Sequence, residues 1–168
     1  ASNGVSGNEL WVTDGTPSGT TFLADINTGS TGSDPDNFCV FNSKLYFTAS
    51  DATNGNELWV TDGTDAGTNL VKDIAPGAVS SNPRDRFTVI NNQLFFTAYT
   101  TTEGLESWKT NGTSTGTVLV KDIVAGTASS HTNGLHKLNK AGNLLFFSAV
   151  TNAGEEVWVS DGTEAGTK

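Results

Sequence analysis

One twelve-residue motif occurs four times in the chain, and this repetition limits the folds that it can adopt. The second copy, Glu57 to Thr68, reads E-L-W-V-T-D-G-T-D-A-G-T, and similar copies begin at Glu9, Glu106 and Glu156. The motif tryptophans are Trp11, Trp59, Trp108 and Trp158. Their separations are 48, 49 and 50 residues. A period near fifty with so little drift is typical of tandem supersecondary units whose loops absorb the differences in length.

Each repeat contains four runs of strand-forming residues. In the third repeat these runs are Arg86 to Ile90, Leu94 to Thr100, Leu105 to Thr110, and Thr117 to Ile123. They are rich in β-branched and aromatic residues, which favour strands. Asn91-Asn92 and Asn111-Gly112 lie between runs and indicate tight turns, because both residue types tolerate positive φ. No stretch has the helical period, so the sequence predicts an all-β fold of four-stranded antiparallel sheets.

Four-stranded units repeated every 40 to 50 residues or so are the blades of a β-propeller. We therefore predict a segment of one propeller with about three and a half blades. The predicted blades are a half blade at 8–26, blades at 38–74 and 86–123, and an incomplete blade at 135–168. Because propeller rings use about four blades or more, we expect further copies, or the remainder of the same polypeptide, to complete the ring.

Two positions of the motif are interpreted as structural. The tryptophan is expected to pack between neighbouring blades as the main packing residue of each unit. The turn residues Asp14, Asp62, Asn111 and Asp161 are expected to accept hydrogen bonds from backbone N–H groups two or three residues later. Asn111 can do this without a charge, so the charge is not the essential feature.

The motif resembles the ELWxxDGT repeat of secreted and surface-attached bacterial proteins. The copies at Glu9 and Glu57 match this pattern fully, the third departs at Ser107 and Asn111, and the fourth departs at Val157. The resemblance implies β-propeller blades in an exported protein and attaches no common activity to them. The turn is also similar to the Asp-box of sialidase-like propellers, which is a structural hairpin.

The composition excludes some partners and favours one location. The 168 residues carry a net charge of −9 with nine Lys and Arg in total, so we predict no nucleic-acid partner. No apolar run approaches the roughly 20 residues that cross a bilayer, so no membrane insertion is predicted. Few basic residues, acidic charge and abundant Thr, Ser, Asn and Gly favour an extracellular or cell-surface bacterial protein. Methionine is absent, from which we expect a processed form or a fragment.

Candidate binding residues lie on the loops that join the fourth strand to the next first strand and the second to the third. These loops share one face of a propeller, and variable loops on a rigid scaffold are where binding sites occur. The candidates are Asp34, Asp36, Asp51, Arg84, Asp85, Tyr99, Glu103 and His131. The motif glutamates are interpreted as hydrogen-bond acceptors for a neighbouring blade, and a ring of functional carboxylates is the alternative.

No cofactor and no metal site are predicted. Calcium is conceivable at Asp25, Asp73 and Asp122 or at Asp34 to Asn37, because it takes clustered oxygen ligands. However, no D-x-[DN]-x-[DN]-G loop is present, and capping of the following loop explains these aspartates equally well. The sequence has no G-x-S-x-G elbow and two arginines, Arg84 and Arg86. We therefore predict no catalytic residues and no enzyme activity.

The resulting functional hypothesis is a non-catalytic extracellular module for binding, adhesion or surface assembly, with saccharide as a suitable ligand. A first alternative is a glycan-processing hydrolase or lyase, which requires two carboxylates within about 10 Å of each other on the loop face. A second alternative is a structural spacer or fibre subunit, in which chains pair through exposed strand edges.

Overall fold

A computed structural model describes residues 1–2, 4–131 and 138–168, without the side chains of Asp85 and Arg86. Thirteen strands form four sheets, and the described residues include no helix. Every pairing is antiparallel, and in each sheet the strands are adjacent in chain order. The predicted all-β fold with four-stranded antiparallel sheets is confirmed.

The chain divides into two compact units, which we call unit 1 (Ala1–Ser80) and unit 2 (Ser81–Lys168). Unit 1 contains two sheets. The first consists of β1 (Leu10–Val12) and β2 (Thr21–Ala24). The second consists of β3 (Asp36–Phe41), β4 (Lys44–Asp51), β5 (Gly55–Thr61) and β6 (Asn69–Lys72).

Unit 2 also contains two sheets. The first consists of β7 (Arg84–Ile90), β8 (Gln93–Thr100), β9 (Gly104–Thr110) and β10 (Val118–Lys121). The second consists of β11 (Asn139–Ala141), β12 (Leu144–Thr151) and β13 (Gly154–Ser160). The motif tryptophans therefore lie on the third strand of the repeat, in β1, β5, β9 and β13.

Asparagine forms the tight turns that join the first and second strands. Asn91 and Asn92 adopt φ values of 49° and 55°, in the left-handed region that a two-residue hairpin of type I′ requires. Asn42 and Ser43 occupy the same positions between β3 and β4, with φ values of 50° and 59°. The predicted turn at Asn91-Asn92 is confirmed, and it fixes the register that pairs Ile90 with Gln93.

The cores differ from the prediction in which aromatic residue is most buried. Phe47 and Phe96, on the second strand of their sheets, are fully buried at 0% exposure. Trp59 and Trp158 are only partly buried and pack against the edges of the clusters around Phe47 and Phe147. The expectation that tryptophan is the main packing residue is therefore wrong. The second strand lies in the middle of the sheet, so its side chains are covered more completely than those of the motif strand.

Candidate functional site

The aspartate of each motif closes its own turn, as predicted. Asp14 Oδ1 accepts hydrogen bonds from the Thr16 backbone N–H at 2.9 Å and from its hydroxyl at 2.7 Å. Asn111 accepts the same two bonds from Thr113 at 3.0 and 2.7 Å, so a charge is not required. The threonine hydroxyl then accepts the N–H of the following motif glycine, as Gly19 N donates to Thr16 Oγ1 at 2.9 Å.

The other motif turns have the same geometry. Asp62 and Asp161 accept hydrogen bonds from the backbone and hydroxyl of Thr64 and Thr163 at 2.7 to 3.0 Å. These hydrogen bonds, first of all those from the threonine hydroxyls, lower the pKa of Asp14, Asp62 and Asp161 below the ordinary aspartate value. All three lie at the surface, and their role is to close the turn.

The second glycine of the motif is required because the carboxylate lies directly over it. A Cβ atom built on Gly19 would lie 1.9 Å from Asp14 Oδ1, and one built on Gly116 would lie 2.0 Å from Asn111 Oδ1. Atoms of a side chain do not approach so closely, so another residue at this position would displace the capping side chain. The D-G-T-x-x-G-T pattern is therefore explained by turn geometry.

The motif glutamate connects its own sheet to the loop that leads to the next one. In unit 1, Glu9 is buried, and its Oε1 accepts the Ser33 N–H at 2.8 Å. Its Oε2 accepts the Ser33 hydroxyl at 2.5 Å and the Ile26 N–H at 3.1 Å. The interpretation of the motif glutamate as a structural acceptor agrees with this geometry.

Unit 2 contains the same connection. The buried Glu106 accepts the Ser130 N–H on Oε1 at 2.8 Å, and on Oε2 it accepts the Ser130 hydroxyl and the Ile123 N–H. Burial raises the pKa of Glu106 to about 7, although the hydrogen bonds from Ser130 and Ile123 act in the opposite direction. Glu57 accepts the Ile74 and Ala75 N–H groups at 3.1 and 3.4 Å. Glu156, in contrast, is exposed.

The serine of this connection was missed by the sequence analysis. Ser33, Ser81 and Ser130 each follow a motif glutamate by 24 residues, and this constant offset was the available signal. Each serine carbonyl also accepts a backbone N–H from the end of the second strand of the next sheet. These bonds are Ser50 N to Ser33 O at 2.8 Å, Tyr99 N to Ser81 O at 2.8 Å, and Val150 N to Ser130 O at 2.7 Å.

Three of the predicted binding residues surround Ser33 in unit 1. Asp34 follows Ser33 directly, is exposed, and accepts a hydrogen bond from the Asn8 side-chain amide at 3.0 Å. Asp51 follows Ser50, the residue whose N–H reaches Ser33 O, and accepts the Thr53 and Asn54 N–H groups. Asp36 is exposed at the start of β3, opposite Thr48. The structure thus gathers these three carboxylates at one corner of the sheet.

Three further predicted residues occupy the same corner of the first sheet in unit 2. Arg84 holds the position of Asp36 at the start of the first strand, opposite Thr97. Tyr99 is 37% exposed and donates its backbone N–H to Ser81 O. Glu103 accepts the hydroxyls of Thr100 and Thr102, and these bonds lower its pKa below the ordinary glutamate value. The backbone of Asp85 lies in β7, and its side chain is outside the described residues.

His131 is not on the binding surface. It is 1% exposed, its Nε2 lies 2.9 Å from Ser107 Oγ, and its ring lies 5.2 Å from that of Phe147. The expectation that His131 faces a ligand is therefore wrong. Ser107 replaces the leucine of the motif, and the imidazole that bonds to it fills the neighbouring space, so the two departures from the repeat belong together.

The aspartates at the end of the fourth strand act as loop caps where their contacts are described. Asp73 Oδ2 accepts the Gly77 N–H and Asp122 Oδ2 accepts the Gly126 N–H, both at 3.0 Å. Across residues 1–2, 4–131 and 138–168, no group of three or more His, Cys, Asp or Glu residues could hold a metal ion.

No helix in the described part of the chain is long and apolar enough to cross a membrane. No family model matches the sequence, and no curated protein matches it. Among solved structures, the chain is similar to an α-L-arabinofuranosidase from Clostridium thermocellum, with 18% identity and a TM-score of 0.34. The match covers 83% of this chain, which spans about half (50%) of the length of that enzyme. Because this matched protein is an enzyme, the prediction that the chain is not an enzyme is withdrawn. A likeness at this TM-score carries no activity over to the chain.

Proposed function

We propose that the sheets are blades of a β-propeller in an extracellular bacterial protein of the ELWxxDGT type. Support comes from the connection of each motif glutamate to the serine 24 residues later. In each unit that serine joins the third strand of one sheet to the second strand of the next. Tandem four-stranded sheets connected in this repetitive way are expected of radially arranged blades. Further copies of the chain, or more of the same polypeptide, complete the ring.

The function that we propose for this scaffold is the binding of carbohydrate at the corner of each sheet around the connecting serine. One observation carries the proposal. The backbone of Ser33, Ser81 and Ser130 makes the same hydrogen bond in all three places, whereas the side chains around it differ between repeats. A constant frame with variable polar surroundings is the arrangement in which binding specificity is usually placed.

The corner in unit 2 has the chemistry that suits a sugar. Tyr99 offers a partly exposed aromatic ring, and Arg84 lies opposite Thr97, two residues before Tyr99 on β8. Glu103 is held by two threonine hydroxyls, and its lowered pKa keeps it ionised at neutral pH. An aromatic face combined with a charged donor and a charged acceptor can bind both the apolar face and the hydroxyls of a saccharide.

A glycan array tests this proposal with three proteins: the native chain, Tyr99→Ala and Asp161→Asn. We expect binding to at least one class of saccharide, with a loss of about tenfold or more in Tyr99→Ala. Asp161→Asn changes a turn at the opposite end of the strands, where Asn111 shows that asparagine is accommodated, and is expected to bind like the native chain. Binding to no glycan at all would contradict the proposal and favour a spacer or fibre role.

Glycan processing is a second candidate because of the corner in unit 1. Asp34 and Asp51 each follow one of the two serines joined by the Ser50–Ser33 hydrogen bond, and Asp36 lies on the adjoining strand. Two carboxylates on one face are the basic requirement of a glycosidase. Incubation of the glycans that bind with the chain, followed by measurement of released reducing ends, tests this candidate. Turnover that persists in Asp34→Asn and in Asp51→Asn would exclude this corner as its site.

A further inference from the structure

A cavity of about 310 Å³ lies in unit 1 between its two sheets. Its walls come from β1 and β2 on one side and from β3 to β5 with the following motif turn on the other. The lining residues that matter here are Leu23, Leu45 and Gly63, with Trp11 and Val12 at the edge of β1. A cavity of about 150 Å³ lined by apolar side chains is known to hold benzene, so this one is large enough for an aromatic ring.

The corresponding place in unit 2 is filled. Counted from the motif, Leu23, Leu45 and Gly63 correspond to Val120, Leu145 and Gly162. Val120 and Leu145 belong to one buried cluster with Ile90 and Phe95. The ring of Phe95 lies against Gly162 so closely that a Cβ atom there would be 2.7 Å from Phe95 Cζ. The side chains that fill the space in unit 2 are therefore Phe95 and Ile90.

Both of these residues lie on the first two strands of a four-stranded sheet, in β8 and β7. The first sheet of unit 1 contains only β1 and β2, which correspond to β9 and β10. In the described part of the chain, no strand occupies the edge of β1 opposite β2. The cavity thus lies where an aromatic residue on an added strand would place its ring.

The register of the added strand is also defined. In unit 2, Ala98 pairs with Glu106 and Phe95 pairs with Lys109. In unit 1, Ala1 takes the place of Ala98, since Glu9 N donates to Ala1 O at 2.9 Å and the Ala1 amino group donates to Glu9 O at 3.2 Å. A strand that ended just before Ala1 would therefore place its aromatic residue opposite Val12, at the cavity.

We propose that unit 1 is a strand acceptor whose partner is a β-hairpin with the sequence pattern of this repeat's own first two strands. The hairpin pairs with the free edge of β1, and its aromatic side chain enters the cavity between Leu23, Leu45 and Gly63. This is recognition by strand addition, in which main-chain hydrogen bonds contribute affinity and the side-chain pocket contributes specificity.

A synthetic peptide with the sequence of residues 87–97 of this chain, F-T-V-I-N-N-Q-L-F-F-T, tests the proposal. It ends one residue before the place that Ala1 already occupies. Titration is followed by calorimetry and by tryptophan fluorescence, since Trp11 lines the cavity. We expect saturable binding at one site, and at least tenfold weaker binding of the same peptide with Phe95→Ala. A scrambled peptide of the same composition controls for non-specific association.

On the side of the chain, Leu23→Trp fills the cavity without removing buried atoms and is expected to weaken peptide binding at least tenfold. Far-UV circular dichroism and hydrogen exchange of β3 to β6 report whether this variant is folded. The peptide variants do not depend on that result, because they leave the chain unchanged. Absence of saturable binding up to about 1 mM peptide, or equal affinity for the native and Phe95→Ala peptides, would overturn the proposal.

Discussion

The two units join one sheet to the next through the same glutamate–serine connection, but they differ in what lies behind it. Glu9 holds Ser33 in unit 1, and Glu106 holds Ser130 in unit 2, with nearly equal hydrogen-bond lengths. In unit 2, the space between the sheets contains Phe95 in a buried cluster, whereas the same space in unit 1 is a cavity. The backbone connection therefore forms whether or not the side chains behind it are complete.

Other contacts in unit 2 are specific to that junction. Lys109 Nζ donates to Gly162 O at 2.6 Å, Lys121 Nζ donates to Thr167 O at 2.9 Å, and Ser107 bonds to His131. At the corresponding positions unit 1 has Val12, Ala24, Leu10 and Asp34. The repeat thus consists of a constant part, which is the turn and the glutamate–serine connection, and a part that is adapted to each junction.

The largest expected effect is that of Phe95→Ala, which would give unit 2 the cavity that unit 1 has. Phe95 is 2% exposed, and truncation of a buried phenylalanine costs about 3–5 kcal/mol in the free energy of unfolding. Urea denaturation and hydrogen exchange in β8 to β10 measure the loss. Phe146→Ala is the matched control, because it holds the same position in the last sheet and is 36% exposed. A loss as large in the control would mean that the junction is not what buries Phe95.

The next effect is that of Glu106→Ala, which removes the constant part of the junction. The buried N–H groups of Ser130 and Ile123 lose their acceptor, and each unsatisfied group costs about 1–3 kcal/mol. We therefore expect unit 2 to lose at least about 2 kcal/mol of stability in urea denaturation. Glu156→Ala changes an exposed glutamate at the same motif position and is expected to stay within about 0.5 kcal/mol of the native chain. Equal losses in the two variants would show that the connection does not stabilise the junction.

The sequence predicts the local parts of this fold well. The four strands expected in the third repeat agree with β7 to β10 to within about three residues at every end. The capping of the turns by Asp14 and Asn111 was also predictable, because the donor and the acceptor lie within two residues of each other. Alternation of apolar residues, turn chemistry and a repeated motif are all local signals.

The junctions were not predictable in the same way, because they depend on which side chains meet after the sheets have formed. Ser107 and His131 are 24 residues apart and were expected to have unrelated roles, although their side chains bond in the core. Ser33 was not recognised because a single serine in a polar loop carries no signal of its own. The binding corner was located only approximately, and within it His131 was assigned to the wrong environment.

The pH dependence of stability should also differ between the native chain and a variant of unit 2. Burial raises the pKa of Glu106 from the ordinary 4.5 to about 7, so between these values the folded chain binds more protons than the unfolded chain. The contribution of Glu106 is therefore fully present below about pH 4.5 and is lost as the pH rises through about 7. Urea denaturation at pH 5, 6, 7 and 8 or so should show this decrease in the native chain. Glu106→Gln keeps a neutral acceptor and should flatten it, and an unchanged slope would contradict the assignment.

The smallest expected effect concerns the lysine contacts that only unit 2 has. Lys109→Val introduces the residue that unit 1 has at this position and removes the hydrogen bond to Gly162 O, and we expect unit 2 to lose about 1 kcal/mol. The converse change, Val12→Lys in unit 1, should give no comparable gain, because the motif turn that would accept the new bond borders a cavity there. If Val12→Lys stabilised unit 1 as much as Lys109→Val weakened unit 2, the lysine contact would form without the packed ring of Phe95. The two junctions would then differ only by independent substitutions. Unequal effects, measured by denaturation of both variants at two salt concentrations, would instead show that the lysine contact depends on a filled space beneath it.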